Sequence, residues 1–392
     1  MQLGWIDFSK EDRQKALDVI NLLSEQGAVD ELGIGIIRDA FANYFFPGTS
    51  TIQTRAKYFL IVPYVLRKDA NRVLRAIDSA EKDCGIRLLN ADPKAEGVIG
   101  TRVLPKGWVA RKPSDIYWNG IRTYGIFCDY GLSITEYVSL ATKLREEKKV
   151  SRLGNRNDDT KENERDDLDA GDISNIRFWN LPIYHDDWRD NLSIELTKEE
   201  AFYLDKQMQK STKGTLLEYV LKNHIDLNQF DSFAALTAAL SEKVDAALAN
   251  MMKLACDFNN LVYMARVRYN VMLSGGENDE AINNWDKIQQ DIGHRAKVDL
   301  DAVFGELELI NPRAKSFLCG IQAAFMASDI DMADELIRKR ERSLKGTGRA
   351  KLSRTKESDH SKWVGGRELD YRFSNARRIL NDIYAGEVCS DV

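Results

Sequence analysis

Between residues 248 and 269 the apolar side chains fall at Leu248, Met251, Met252, Ala255, Phe258, Val262, Ala265 and Tyr269. Steps of three and four residues follow the turn of an α-helix, so this stretch must bury one long apolar face against other elements. The same reading covers most of the chain after Thr197. Residues 231 to 273 read as one or two long helices ended by Gly275-Gly276, residues 279 to 309 and 312 to 344 as helical hairpins, and residues 373 to 384 as a last helix. Upstream, helical patterns run from Leu17 to Gly27, from Asp30 to Phe46 and from Asp69 to Cys84. Others start at Ser114 and at the capping box Ser133-x-x-Glu136; Thr197-x-x-Glu200 is a further box. The expected fold is mainly α, with a helical N-terminal part, a short β-hairpin near residues 97 to 110, where Val98, Ile99, Val103 and Val109 lie among glycines, and an all-helical C-terminal part.

The chain's 392 residues suffice for more than one core. Composition breaks sharply at residues 150 to 172, where residues 158 to 172 carry eight acids against Lys161 and Arg165. Low hydrophobicity with a charge block marks a flexible insertion or linker. The expected division is therefore a helical domain over 1–149, this segment over 150–172, and a helical domain over 173–392. Aromatics at Phe178, Trp179, Tyr184 and Trp188 are expected to dock the connector onto a core.

The five cysteines, 84, 128, 256, 319 and 389, form no C-x-x-C pair and read as reduced thiols. No basic, apolar leader opens the chain and no apolar run is long enough to span a bilayer, so a cytoplasmic protein without membrane contact is expected. No cofactor motif occurs: Gly33 and Gly35 are followed by neither a P-loop lysine nor a full G-x-G-x-x-G. The four histidines lack zinc-site spacing. His185-Asp186-Asp187 is a possible divalent-metal triple, but successive side chains diverge on any regular backbone, so a solvated turn is expected and no metal ligand is assigned.

Two stretches suggest binding. In residues 47 to 64 a Pro-Gly turn leads into Ser50, Thr51, Thr54, Arg55 and Tyr58, and a helix starting at Ser50 or Thr51 would put Thr51, Arg55 and Tyr58 on one face. Free N–H groups, the dipole and Arg55 with Lys57 could then seat a phosphate or carboxylate. Alternatively Ser50 and Gln53 close a capping box that satisfies those donors without a ligand. Pro63, unable to donate to the Phe59 carbonyl, predicts a kink or stop. The second stretch is basic: Arg338, Lys339, Arg340, Arg342, Lys345, Arg349, Lys351, Arg354 and Lys356 face one acid, Glu341. With Trp363, Tyr371 and Arg372 following, this arm over 338–356 can grip a phosphate backbone and stack on bases; its alternative is a solvated helix end with a charged loop. Because the whole chain carries a net charge of −5, DNA or RNA binding must come from such a local patch.

Several pieces together resemble an uncharacterised bacterial family, a domain of unknown function that opens Gly-Trp-Ile-Asp-Phe-Ser. They are Gly4 to Ser9, Leu32 to Gly35 with Arg38-Asp39, Phe46 to Tyr58, Gly97 to Gly100, Pro113-Ser114-x-Ile116-Tyr117-Trp118, and Tyr371-Arg372-Phe373. The resemblance implies an accessory component of anti-phage defence, encoded beside a helicase or a phospholipase D-like nuclease, and supplies no catalytic residue. Three functions follow as expectations. One is a non-catalytic component that binds nucleic acid, a helicase or nuclease partner, or both. The second is an enzyme acting on a phosphodiester or nucleotide near Thr51, Arg55 and Tyr58, helped by acids such as Asp7 and Asp39. The third is a structural scaffold.

Overall fold

A computed structural model describes residues 30–69, 74–128, 131–154, 178–182, 187–353 and 361–388. The fold is mainly helical, and the described residues hold no strand, only one antiparallel bridge between Phe127 and Trp179. The chain divides into two compact units, each built from two separate stretches: residues 1–42 with 230–371, and residues 43–229 with 372–392. Of the charged segment 150–172, residues 155–172 lie outside the described residues, as do Asp7, Ile183 to Asp186, Arg354 and Lys356.

In chain order the helices are α1 (Gly35–Phe45), α2 (Tyr58–Asp69), α3 (Leu74–Ala91), α4 (Pro113–Thr123), α5 (Ile134–Gly154), α6 (Lys198–Ser211), α7 (Leu216–Lys222) and α8 (Phe233–Leu240). There follow α9 (Ala246–Ser274), α10 (Asp279–Gln289), α11 (Ile292–Arg295), α12 (Leu300–Glu306), α13 (Pro312–Met326), α14 (Ile330–Lys345) and α15 (Phe373–Val388).

The unit holding 230–371 is organised on α9, the helix of the apolar stripe. Asp245 caps its start by accepting the Leu248 N–H at 3.0 Å, and Gly275, at φ 59°, ends it. Its second half buries Leu261, Val262, Met264, Ala265, Val267 and Tyr269, more than one face, as a central helix must. Helices α8, α10 and α14 pack on it, and α13 packs on α14. Polar contacts bind residues 364 to 371 to α9, with Asn270 also donating to the Val364 carbonyl (3.0 Å). The Tyr371 hydroxyl donates to the Ala255 carbonyl (2.7 Å), Leu369 N–H to Asn259 (2.6 Å), Arg266 to the Arg367 carbonyl (2.5 Å) and Val364 N–H to Asn270 (2.7 Å). Positions 255, 259, 266 and 270 share one side of a helix, so this irregular strap satisfies its backbone groups along α9.

In the other unit α2 packs on α3 and α4, and α15 on α6. Both expected capping boxes form: Glu136 and Ser133 bond reciprocally (2.7 and 3.2 Å), and Glu200 and Thr197 do the same (2.9 and 3.3 Å). Phe178 and Trp179 are buried, and the Trp179 ring lies against Phe127 and Tyr137 with centroids 4.8 and 5.3 Å away.

Three local expectations are corrected. Residues 97 to 110 make turns instead of a β-hairpin: Val103 and Leu104 N–H bond the Gly100 carbonyl, Gly107 N–H bonds that of Val103, and Ile99 N–H goes to the Tyr58 hydroxyl. With those donors committed within four residues or to a side chain, none is left for a cross-strand ladder. Pro63 neither stops nor ends its helix, because α2 continues to Asp69. Phe59 to Leu66 are all buried, and that burial outweighs the bond lost at Phe59. Finally, the segment after Ser50 is not helical: α2 starts only at Tyr58, so Thr51, Arg55 and Tyr58 do not share a helix face.

Candidate functional sites

The reason for that late start lies in where the backbone donors go. Thr54 and Arg55 N–H both donate to the Tyr117 hydroxyl (2.8 and 3.0 Å), and Ala56 N–H donates to Asp382 Oδ2 (2.7 Å). A helix from Thr51 would need those donors for its own carbonyls. Ahead of them Gln53 accepts the Ser50 N–H at 3.0 Å and donates to the Gly48 carbonyl, half of the expected capping box on a turn. Gly48, at φ 79°, lies against the Tyr124 ring, and Gly120 of α4 lies against the Gly48 carbonyl; a β-carbon on Gly120 would sit 2.4 Å from that oxygen. Arg372 closes the other side by donating to Asn43 and to the Thr49 carbonyl, both at 2.7 Å.

A carboxylate seat therefore exists here, and the chain fills it with its own Asp382. Arg55 Nε reaches both Asp382 oxygens at 2.9 Å, and its Nη1 donates to the Glu96 carbonyl at 3.0 Å. The two side chains are 18% and 11% exposed. Burial raises the Asp382 pKa from its ordinary value, against the opposing pull of Arg55 and the Ala56 N–H. Tyr58 is buried, its hydroxyl accepts from Ile99, and burial raises the phenol. Thr51 is exposed, while Ser50 and Thr54 are half-buried. Of the acids considered for this site, Asp39 pairs with its neighbour Arg38 at 3.0 Å. The same unit hides a second carboxyl, Glu81, which accepts the Ser114 N–H (2.7 Å) at the start of α4 and is pushed up to about 8 by burial.

The basic stretch is sorted by the helix it sits on. Residues 338 to 345 are the last turns of α14, and residues 351 to 353 form a single 3-10 turn. Arg340 points inward, 5% exposed, with Nε on the Leu32 carbonyl (2.9 Å) and Nη2 on that of Gly33 (3.3 Å). Glu341 is fully buried and accepts from the Tyr269 hydroxyl and the N–H groups of Lys351 and Leu352. Lys345 lies 3.3 Å and Lys351 3.8 Å from Glu31. On the outer face, Arg338, Lys339 and Arg342 are exposed, and among the described residues none of the three meets an acid; Arg349 is exposed in the turn beyond. The expected stacking aromatics are not arrayed with them: Tyr371 is buried, and the Trp363 ring stacks on Tyr263 with centroids 6.3 Å apart.

Sequence reading missed a cavity of about 650 Å³ lined by α6, the end of α7 and the last turn of α15. Its wall includes Phe202, 59% exposed, with Lys206 Nζ 5.3 Å from the ring centroid. Asp205, 3% exposed, accepts from Gln209 Nε2 at 2.8 Å and lies 3.3 Å from Lys206. His224 lies 3.0 Å from Glu387 and stacks on Tyr384 at 4.6 Å. Burial and the nearby Asp205 raise the Glu387 pKa, with His224 and Lys206 opposing. The contributing residues lie between 198 and 387, and no short spacing signals them; the one local hint is a histidine where a helix ends. Among the described residues no group of three or more His, Cys, Asp or Glu side chains is arranged to hold a metal ion, and no helix is long and apolar enough to cross a membrane.

Residues 1–152 match a family of unknown function (DUF6361). The match includes Arg55, Tyr58 and Tyr117 but stops short of the basic face of α14 and of the cavity. No curated protein and no solved structure matches the chain.

Proposed function

We propose that the chain is a non-catalytic, helical component that binds nucleic acid through the outer face of the last turns of α14. One observation carries this reading: Arg338, Lys339 and Arg342 are exposed at i, i+1 and i+4, and among the described residues none of them is held in an ion pair. With no stacking aromatic arrayed beside them, these long cationic side chains serve phosphate contacts first, so the binding is chiefly to the backbone. Arg349, exposed in the turn after the helix, is a further cation near its end. The resemblance supports placing this component in bacterial anti-phage defence, acting with a helicase or a phospholipase D-like nuclease.

Gel-shift titration of the full chain on duplex DNA tests the reading. Each neutralised phosphate contributes about 0.9 to the slope of log affinity on log salt, so three contacts give a slope near ~2.7. Reversal of Arg338, Lys339 and Arg342 to Glu should cut affinity at least tenfold and flatten that slope. Equal binding by the two forms rejects the role. Loss of a co-purifying partner with unchanged DNA affinity assigns the face to a protein instead.

A further inference from the structure

The cavity beside α6 goes beyond that reading and does not depend on it. Its volume, about 650 Å³, falls within the range of small-molecule sites. Two rings are held ready in or beside it. Phe202 is exposed on the wall although the neighbouring α6 positions Ala201, Leu204 and Asp205 are buried. His224 occupies the left-handed position after α7, at φ 51°, where its N–H bonds the Leu221 carbonyl (3.1 Å) and Ile225 N–H bonds that of Val220 (3.0 Å). Glycine adopts that conformation at least cost, so a histidine there is strained locally, and its ring is fixed by Glu387 and Tyr384.

The charges narrow the ligand. Asp205 is satisfied by Gln209 and Lys206, and Glu387 by His224. Lys198 and Lys222, also on the wall, have no acid partner among the described residues. Gln209 spends its amide nitrogen on Asp205, which leaves its carbonyl oxygen to accept from an amino group. An exposed aromatic face, two unpaired ammonium groups and a polar edge together suit a flat heterocycle that carries a phosphate and an exocyclic amine. We infer that this cavity binds a nucleotide, with the base on Phe202, the phosphate between Lys198 and Lys222, and Gln209 at the base edge. The source is either a free nucleotide or the end of a single strand.

Isothermal titration calorimetry of the full chain carrying the Arg338, Lys339 and Arg342 reversals separates this site from the basic face. The probes are AMP, adenosine, ribose 5-phosphate and a 5′-phosphorylated single-stranded octanucleotide. AMP or the octanucleotide should bind saturably, and adenosine and ribose 5-phosphate at least tenfold more weakly than AMP. Phe202→Ala and Lys222→Glu, both at exposed positions, should each weaken binding at least tenfold with the thermal melt unchanged. Binding of AMP alone assigns a free nucleotide, and binding of the octanucleotide alone assigns a strand end. No saturable binding of either probe, or binding that neither substitution alters, overturns the site.

Discussion

Residues 47 to 58 and the last turns of α14 begin from the same sequence expectation, a cation placed to meet an anion, and end differently. In the first region Asp382 supplies the counter-charge and the Glu96 carbonyl takes the remaining reach of Arg55. In the second, Arg338, Lys339 and Arg342 face outward, and among the described residues none is held in an ion pair. The contrast recurs inside α14 itself, where Arg340 lies buried one or two residues from exposed neighbours. Helical period alone separates them: Ile337, Arg340, Glu341 and Leu344 line the inner face, and Arg338, Lys339 and Arg342 the outer. A basic run thus divides into structural and available cations, and only the available ones can meet a ligand.

The largest expected effects belong to the unit that holds the closed region. Arg55→Ala leaves a mostly buried Asp382 without its cation and should cost about 3 kcal/mol, the low end for a broken buried pair because both side chains keep some exposure. Urea denaturation reads it, and a loss under about 1 kcal/mol would erase the contrast with α14. Glu81 sharpens the comparison from the same unit, since it is a buried carboxyl served by Ser114 with no cation bonded to it among the described residues. Folded Glu81 keeps its proton to about pH 8, whereas the unfolded side chain releases it near 4.5. Between those values the folded chain binds more protons, so this contribution to stability is full below about pH 4.5 and falls as pH rises toward 8. Glu81→Gln should remove a pH dependence on the order of 4 to 5 kcal/mol across that window; an unchanged pH profile of the melt would show that Glu81 is ionised in the fold.

Within α14, Arg340→Ala should cost about 2 kcal/mol by stranding the Leu32 and Gly33 carbonyls. Arg342→Ala, two residues on, should change stability by under about 0.5 kcal/mol. Equal losses from the two would break the division of the helix into faces. The smallest effect belongs to the three reversals at 338, 339 and 342, which should leave the melt within about 0.5 kcal/mol while cutting DNA affinity at least tenfold.

Much of the helical framework is legible from spacing because its causes are local. The stripe from Leu248 to Tyr269 becomes α9, and Ser133 with Glu136 and Thr197 with Glu200 form their capping boxes from partners three residues apart. Neither the start of α2 nor the turns at 97 to 110 could be read that way, because the donors of Thr54, Arg55, Ala56 and Ile99 go to Tyr117, Asp382 and Tyr58. The same distinction separates the sites. The sequence alone determined which residues carry charge and which segments turn helical, since propensity, capping and period act over a few residues. Only the tertiary structure decided that Arg55 meets an acid 327 residues away, that Arg340 is spent on the Leu32 and Gly33 carbonyls, and that Phe202, His224 and Glu387 border one cavity. Electrostatic and hydrogen-bond partners are chosen by distance in space, and folding sets that distance.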